Sequence, residues 1–216
     1  MSVPQPIVIF GTGPIANVVA CYIIRNRTHF ICAYTVDKKH AKTTEFPFES
    51  IQKHYLPENH SMLIVTGYSH MNALRERKYN EAKEMGYKFA NYIDPTAIVS
   101  SEAIIGNNVI ISPRVIIEPF AKIGNGVIIR PQAMVGHDAV IDDFSWIAAH
   151  SVIGSMSTIG RRSFIGYNAV VRDKIKIAEQ TLVGACAFIS KDTQPHEVYF
   201  APHATLSSRK SYEVEI

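Results

Sequence analysis

The stretch VIIRPQAMVGHDAVIDDFSWIAAHSVIG, residues 127–154, carries a β-branched residue at every sixth position. The same spacing continues on both sides, and the sixteen positions that it reaches are all isoleucine or valine: Val99, Ile105, Ile111, Ile117, Ile123, Ile129, Val135, Ile141, Ile147, Ile153, Ile159, Ile165, Val171, Ile177, Val183 and Ile189. A period of six fits neither an α-helix nor an ordinary strand. It predicts coils of three short strands, stacked so that every sixth side chain lies inside a triangular prism.

The positions around each inward residue support this interpretation. The residue two places earlier is mostly alanine or serine, which fits a crowded corner. The residue after it is glycine in seven of the sixteen repeats, and this glycine is expected to allow the turn. Sixteen uninterrupted repeats give about five coils that rise roughly 25 Å. We assign residues 94–192 to this prism and residues 193–216, which break the pattern, to a C-terminal tail.

Residues 1–93 follow a different pattern, in which strands and helices alternate. Buried strands are predicted at residues 6–11, 29–37 and 61–68, and helices at residues 15–26 and 71–86. The second helix, MNALRERKYNEAKEMG, has the charge pattern of a helix that faces solvent. This order predicts a small parallel sheet with right-handed crossovers, which is a Rossmann-like α/β domain.

The motif GTGPIA follows the first predicted strand and opens the first predicted helix. Gly11 and Gly13 allow a tight turn, and the N–H groups of the helix that starts at Pro14 and Ile15 are free to bind phosphate. Asp37 ends the second strand, where such folds bind a ribose hydroxyl. We therefore predict a site for a single nucleotide diphosphate. The alternative is a glycine turn that only lets the helix pack on the strand.

His137 lies two residues after the inward Val135, so its side chain is expected to point outward at a corner of the prism. An imidazole can accept a proton at neutral pH, and a neighbouring carboxylate fixes its tautomer and raises its basicity. That carboxylate is Asp138, or the nearby Asp142 or Asp143. His137 and Asp138 are our candidates for a general base and the acid that orients it.

Composition and charge argue against several classes of protein. A net charge of +3 without a long basic run gives no support for nucleic-acid binding. No apolar stretch approaches the ~18 residues of a membrane span, and the N-terminus lacks the features of a secretory signal. Cys21, Cys32 and Cys186 have no metal-binding spacing and are expected to be reduced thiols. We expect a cytoplasmic protein without a bound metal, a nucleic-acid partner or a membrane partner.

The segment VGHDAVIDDFSWIAAHSVIGSMSTIG, followed by FIGYNAVV, resembles the hexapeptide-repeat nucleotide-sugar acetyltransferases. This family includes bacillosamine-precursor and perosamine N-acetyltransferases and sialic-acid-operon O-acetyltransferases, and the resemblance covers nearly the whole chain. It implies that the prism is a left-handed parallel β-helix and that the protein is a homotrimer with active sites between neighbouring prisms. It also implies acetyl-CoA as the donor, a nucleotide-linked amino sugar for surface glycans as the acceptor, and His137 as the general base.

The same resemblance assigns the nucleotide-binding residues, and it makes Tyr167 and Ala185 contacts of the donor. The glycine loop, the turn at Asp37 and Lys38, and the end of the third strand near Gly67 would hold the nucleotide. The turn residues expected to contact acetyl-CoA are Gly166, Tyr167, Asn168, Gly184 and Ala185. The cations available for the phosphates of coenzyme A are Arg161, Arg162, Arg172, Lys174 and Lys191.

Trp146 marks a departure from the family. Several relatives carry a second histidine there, nine residues after the first, which contacts the acetyl group of the donor. Here either a backbone amide takes that role or Trp146 itself shapes the acetyl pocket. His150 is a nearby substitute, although its spacing from His137 differs.

Other functions stay open from the sequence. The same histidine base would serve O-acetylation of a sugar hydroxyl. A non-catalytic nucleotide-sugar-binding protein would keep the glycine loop but would not need His137. A carbonic-anhydrase-like prism needs three histidine ligands for zinc, and the repeats contain only His137 and His150, which disfavours it.

Overall fold

The computed structural model describes residues 5–210, so the ends of the predicted first domain and tail, residues 1–4 and 211–216, lie outside the described residues. The elements of the first domain are β1 (Gln5–Phe10), α1 (Pro14–Asn26), β2 (His29–Val36), β3 (Phe46–Pro47), β4 (Ser61–Ile64), α2 (Ala73–Glu84) and β5 (Lys88–Phe89). Short 3-10 helices lie at Lys38–His40 and Phe48–Lys53. The strands form one parallel sheet in the order β3-β2-β1-β4-β5, which confirms the predicted α/β fold. No helix in the described part of the chain is long and apolar enough to cross a membrane.

The prism consists of strands that are two residues long. They are β6 (Tyr92–Ile93), β7 (Ile98–Val99), β8 (Ile104–Ile105), β9 (Ile110–Ile111), β10 (Ile116–Ile117), β11 (Lys122–Ile123), β12 (Ile128–Ile129), β13 (Met134–Val135), β14 (Val140–Ile141), β15 (Trp146–Ile147), β16 (Val152–Ile153), β17 (Thr158–Ile159), β18 (Phe164–Ile165), β19 (Val170–Val171), β20 (Lys176–Ile177), β21 (Leu182–Val183), β22 (Phe188–Ile189) and β23 (Val198–Tyr199). Strands of successive coils pair in parallel and form three flat sheets, which confirms the predicted left-handed parallel β-helix.

The three sheets have different surroundings, and we name them accordingly. The domain-facing sheet contains β6, β9, β12, β15, β18, β21 and β23, and the first domain packs against it. The open sheet contains β7, β10, β13, β16, β19 and β22. The third sheet contains β8, β11, β14, β17 and β20.

The isoleucine and valine of each repeat fill the prism as predicted. Ile111, Ile129, Ile147 and Ile165 stack in one column of the domain-facing sheet and are fully buried. Burial of each such side chain contributes about 1.5–3 kcal/mol to folding. The stacked columns are therefore the main source of stability in this domain.

The glycines that follow the inward residues serve a different purpose from the one expected. Gly136 does not adopt a left-handed φ, and an added Cβ would lie 2.7 Å from the backbone nitrogen of Ser155 in the next coil. The left-handed residue of this corner comes two positions later, at Asp138 with a φ of 56°. Glycine is therefore required by the close stacking of coils rather than by the turn itself.

The prism has one strand more at each end than the predicted range 94–192. Tyr92–Ile93 pairs with Ile110–Ile111. Val198–Tyr199 pairs with Leu182–Val183 at an offset of sixteen residues, whereas the regular coils have an offset of eighteen. Because the last coil is two residues shorter, the six-residue spacing stops before the fold does.

Helix α2 faces solvent on one side only, whereas its other side is buried, which the charge pattern did not predict. Its exposed residues are Arg77, Asn80, Lys83 and Glu84. Arg75 and Lys78 are buried, since the helix lies between the parallel sheet and the prism. Arg75 Nε donates to the carbonyl of Gly126 at 2.8 Å, and Arg75 Nη2 donates to the carbonyl of Phe144 at 2.8 Å. The helix thus joins the two domains through a buried cation that satisfies backbone carbonyls of the prism.

Candidate functional site

A cavity of about 1080 Å³ lies between the first domain and the domain-facing sheet. The residues predicted to bind the nucleotide that line it are Gly11, Gly13, Pro14, Ile15, Asp37 and Gly67. Trp146 and Tyr167, which were predicted as acetyl-CoA contacts, line the same cavity from the prism. The structure therefore brings parts of two predicted sites together in one space.

The glycine loop forms one end of the cavity. Gly11 has a φ of 121°, and an added Cβ would collide with the carbonyl oxygen of Val65, so only glycine fits there. Gly13 instead faces open space and precedes α1 without a side-chain cap. Pro14 begins the helix, whose first turn carries no acidic residue. The N–H groups of this turn suit a phosphate group.

Asp37 stands near this loop, but its carboxylate already has a partner. Lys78 Nζ lies 2.5 Å from Asp37 Oδ1 and 2.5 Å from Glu81 Oε2. Burial acts to lower the pKa of Lys78, but hydrogen bonds to Asp37 and Glu81 outweigh it and raise the pKa above its ordinary value. With its charge balanced, Asp37 can accept a hydrogen bond from a ribose hydroxyl while repelling a neighbouring phosphate only weakly.

Lys38 is not among the residues that line the cavity in the described chain. Its backbone N–H donates to the carboxylate of Glu49 at 3.0 Å. The next two residues of the short 3-10 helix line the cavity instead. The basic residues of the lining are Lys39, His40, His70 and Arg77. With Asp37 paired, the charged groups of the cavity favour an anionic ligand.

Trp146 forms the floor of the cavity. It is only 2% exposed, and its ring meets Tyr68 edge-on at 5.1 Å and stacks with Phe164 at 6.4 Å. The Arg75 guanidinium lies 5.7 Å from the centre of the same ring. Burial lowers the pKa of Arg75 to about 9, so the group stays protonated at neutral pH. Trp146 thus shapes the cavity of its own chain, and its part in an acetyl pocket stays a prediction.

His137 has a carboxylate partner, as the sequence suggested. His137 Nδ1 lies 2.8 Å from Asp138 Oδ2, and the His137 backbone N–H donates to Glu118 Oε2 at 2.8 Å. Asp143, one of the alternative acids, instead accepts the backbone N–H of Asn125 at 2.6 Å. Because Asp138 holds Nδ1 and the ring is half-exposed, Nε2 is the nitrogen that can accept a proton from a ligand.

His137 and the cavity belong to different corners of the prism. The corner with Tyr167 follows the domain-facing sheet, whereas the corner with His137 follows the open sheet. One face of a coil is six residues long, so the two corners are roughly 20 Å apart. A single chain therefore does not bring His137 to the cavity.

The turns predicted to contact acetyl-CoA stack along the corner that carries Tyr167. The backbone N–H of Cys186 donates to the carbonyl of Tyr167 at 2.8 Å, and an added Cβ at Gly166 would lie 2.6 Å from the nitrogen of Ala185. The other predicted residues of this corner are Asn168 and Gly184. Tyr167 is 56% exposed at the rim of the cavity, so the corner offers a continuous edge next to it.

Two of the cations predicted for the phosphates of coenzyme A have another role. The guanidinium groups of Arg161 and Arg162 both pair with Glu76 of α2. That contact joins positions more than eighty residues apart, which is why no local pattern revealed it. The remaining candidates, Arg172, Lys174 and Lys191, are all exposed. In residues 5–210, no group of three histidine, cysteine or acidic residues is arranged to hold a metal ion.

Sequence reasoning missed several residues of the cavity, among them Tyr68, His70 and Arg77. Tyr68 and His70 lie in the loop after β4, and Arg77 lies on α2. Ligands bind beyond the carboxyl ends of parallel strands, so the position of this loop was an available signal. Arg77 had no such signal, because its position depends on how α2 packs against the prism.

Solved structures that share this fold include chains from Neisseria gonorrhoeae, Caulobacter crescentus and Acinetobacter baumannii. The acetyltransferase domain of PglB from Neisseria gonorrhoeae FA1090 is 24% identical, with a TM-score of 0.78 over 90% of this chain and 95% of that chain. PerB from Caulobacter crescentus, in complex with CoA and GDP-perosamine, is 24% identical, with a TM-score of 0.80 over 90% and 93%. WeeI from Acinetobacter baumannii AYE is 17% identical, with a TM-score of 0.71 over 90% and 95%.

These likenesses confirm the resemblance at the level of the fold, across both domains. No curated protein matches the sequence. Residues 89–208, more than half of the chain, match the family described as the GMPPB C-terminal domain. That range starts within β5 and contains the whole prism. The chain therefore belongs to the family of the GMPPB C-terminal domain.

Proposed function

We propose that this chain is an acetyl-CoA-dependent N-acetyltransferase that acts on the amino group of a nucleotide-linked amino sugar. The observation that carries the proposal is the His137–Asp138 pair on the outside of the prism. It occurs in a chain that also forms a large cavity between the prism and the first domain. PerB, which has this fold, was solved with CoA and GDP-perosamine, and the PglB domain was solved with acetyl coenzyme A. Such a product would serve surface glycan biosynthesis in the cytoplasm.

The nucleotide part of the acceptor fits the first domain. The N–H groups at the start of α1 and the basic residues of the lining suit a diphosphate. Asp37 can accept a hydrogen bond from the ribose. The sugar would then extend over Trp146 toward Tyr167 at the rim. A volume of about 1080 Å³ is ample for a nucleotide-linked sugar.

The residues of the chain supply the proton transfer. The neutral amine attacks the carbonyl carbon of the thioester while His137 Nε2 removes a proton from the nitrogen, and Asp138 stabilises the imidazolium that forms. Backbone N–H groups of the prism turns would stabilise the oxyanion. When the C–N bond has formed, the C–S bond breaks, and the thiolate of coenzyme A takes the proton from His137.

A homotrimer would complete this site. The outward residues of the open sheet form an apolar column: Ile98, Ile116, Met134, Val152, Val170 and Phe188. Ile98 and Phe188 are each about two-thirds exposed in the single chain. A flat apolar column of this kind favours packing against a second prism. Because the open sheet lies between the Tyr167 corner and the His137 corner, such packing would bring His137 of one chain toward the cavity of another.

The test combines product analysis with one substitution. The purified protein is incubated with acetyl-CoA and a panel of GDP-, UDP- and dTDP-linked amino sugars, and the products are analysed by mass spectrometry. We expect the gain of one acetyl group that resists hydroxylamine, as an amide does and an ester does not. His137→Asn should abolish it, while His54→Ala, at an exposed position of the first domain that does not line the cavity, should not. Transfer to none of the panel, or normal turnover by His137→Asn, would contradict the proposal.

A further inference from the structure

The loop after β4 contains a run of left-handed residues beside the cavity. His70, Met71 and Asn72 have φ values of 51°, 48° and 63°. In the described part of the first domain, Arg27 at the end of α1 is the other non-glycine residue with such a value, and it stands alone. Side chains disfavour this region of φ, so three successive residues persist in it only when surrounding contacts hold them.

Arg162 of the prism supplies those contacts. Arg162 Nε donates to the carbonyl of Met71 at 3.0 Å, and Arg162 Nη2 donates to the carbonyl of His70 at 3.4 Å. The side-chain amide of Asn72 donates to the carbonyl of Arg162 at 3.3 Å. Asn72 is fully buried, and its Oδ1 has no hydrogen-bond partner within the described residues. One prism residue therefore contacts all three residues of the turn, in addition to the backbone hydrogen bonds from Asn72 to Tyr68 and from Ala73 to His70. The Oδ1 atom of Asn72 stays buried and unsatisfied in the described part of the chain.

The turn places His70 in the cavity wall. His70 is exposed there, on the same lining as Lys39 and His40. The nearby acid, Asp37, is already paired with Lys78. An imidazole in these surroundings suits a ligand that carries negative charge and accepts hydrogen bonds. A diphosphate has both properties.

We infer that His70 is a substrate-contacting residue for the diphosphate of the nucleotide-linked sugar, and that Arg162 is the positioning residue that holds it. The inference rests on the proposed function, since it assigns residues of that same cavity. The strained turn then has a purpose, because the left-handed backbone conformation places His70 in the cavity lining.

The chain provides a matched control in the neighbouring arginine. Arg161 and Arg162 both pair with Glu76, but the hydrogen bonds to the turn come from Arg162. Removal of Arg161 therefore changes the charge of the same corner and leaves the turn in place. Arg162→Lys keeps the charge and most of the stem but cannot donate to both carbonyls with the same planar group.

The test measures binding of GDP, UDP and dTDP by calorimetry to the wild type, His70→Ala, Arg162→Ala and the double variant. We expect each single variant to weaken the best-bound nucleotide about tenfold. The double variant should bind no more weakly than His70→Ala alone, because Arg162 acts through His70. Arg162→Lys should resemble Arg162→Ala, Arg161→Ala should stay within about twofold of the wild type, and acetyl-CoA should bind all of them equally.

Each outcome has a distinct meaning. If His70→Ala binds the nucleotide as well as the wild type does, or if the two losses add in the double variant, the inference is wrong while the proposed function stands. If the wild type binds none of the three nucleotides, the proposed function is wrong, and the inference is wrong with it because it depends on that function. Thermal unfolding of every variant separates lost binding from lost structure. His70→Ala, at an exposed position, keeps the test valid even if Arg162→Ala unfolds.

Discussion

The ammonium group of Lys78 lies 2.5 Å from a carboxylate oxygen of Asp37 and 4.7 Å from the centre of the Phe48 ring. A largely buried lysine is costly unless its charge is balanced, and here Asp37 and Glu81 balance it together. Asp37 neutralises a cation within the first domain, and it also lines the cavity. The proposed function gives it a second role there, as the acceptor for the ribose hydroxyl.

Asp37→Ala should weaken binding of the nucleotide-linked sugar by about tenfold, since the ribose loses its acceptor. It should also lower the free energy of unfolding by about 1–3 kcal/mol, because Lys78 keeps only Glu81 as a partner. Acetyl-CoA should bind unchanged. Calorimetry with each ligand and urea titration measure these quantities. If the variant loses affinity for acetyl-CoA alone, the two binding sites have been assigned in reverse.

Asp138→Asn should reduce kcat by about 10- to 100-fold with little change in KM, because the amide cannot balance the charge of the imidazolium on His137. Glu118→Gln is the control, since its side chain can still accept the backbone N–H of His137. Asp142→Asn tests the other candidate acid. If Asp142→Asn reduces kcat as much as Asp138→Asn does, the orienting acid has been wrongly assigned.

Arg75→Met should lower the free energy of unfolding by about 2–4 kcal/mol, because the carbonyls of Gly126 and Phe144 lose their buried donors. Arg77→Met, at a largely exposed position of the same helix, should change it by less than about 0.5 kcal/mol. Urea denaturation measures both. Equal effects would mean that the buried cation does not join the domains.

Asp94 should make the fold sensitive to acid. Burial acts to raise its pKa, but hydrogen bonds from Thr96, Tyr92 and Asn26 outweigh it and hold the pKa below its ordinary value of 3.8. A carboxyl group with a lowered pKa stabilises the fold above its ordinary pKa, and this stabilisation is lost as the pH falls through the folded-state pKa.

We therefore expect the stability of the wild type to fall steeply below about pH 4. Asp94→Asn should be less stable by about 1–3 kcal/mol at neutral pH and should lose less stability on acidification. Urea titrations of both proteins across this range provide the measurement. A variant whose stability follows the same pH profile as the wild type would contradict the assignment.

The sequence was sufficient for the prism because its rule is local. Whether Ile129 points inward depends only on its place in a six-residue repeat, and that place is visible in the sequence. The same rule marks Trp146 as an outward residue. It does not say what covers that face, since the outward residues of the open sheet, such as Met134 and Val152, are also apolar.

What the sequence could not provide are contacts between the two domains. Arg75 looks like a residue of a solvated helix, because its partner Gly126 approaches it only after the two domains pack. Lys78 looks the same, because its partner Asp37 is distant along the chain, although both lie in the first domain. The left-handed turn at His70 is hidden for the same reason. The contact that holds it comes from Arg162, and nothing in the residues around His70 predicts such a conformation.

The separation of His137 from the cavity has a genetic consequence. In the proposed trimer each working site takes its base from one chain and its acceptor pocket from another, so two inactive proteins can complement each other. Gly13→Trp would fill the pocket from a position where an added Cβ meets nothing within 4 Å. Each variant alone should be inactive. When Gly13→Trp and His137→Asn are co-expressed in equal amounts, about one quarter of the sites should combine an intact base with an intact pocket and should transfer the acetyl group.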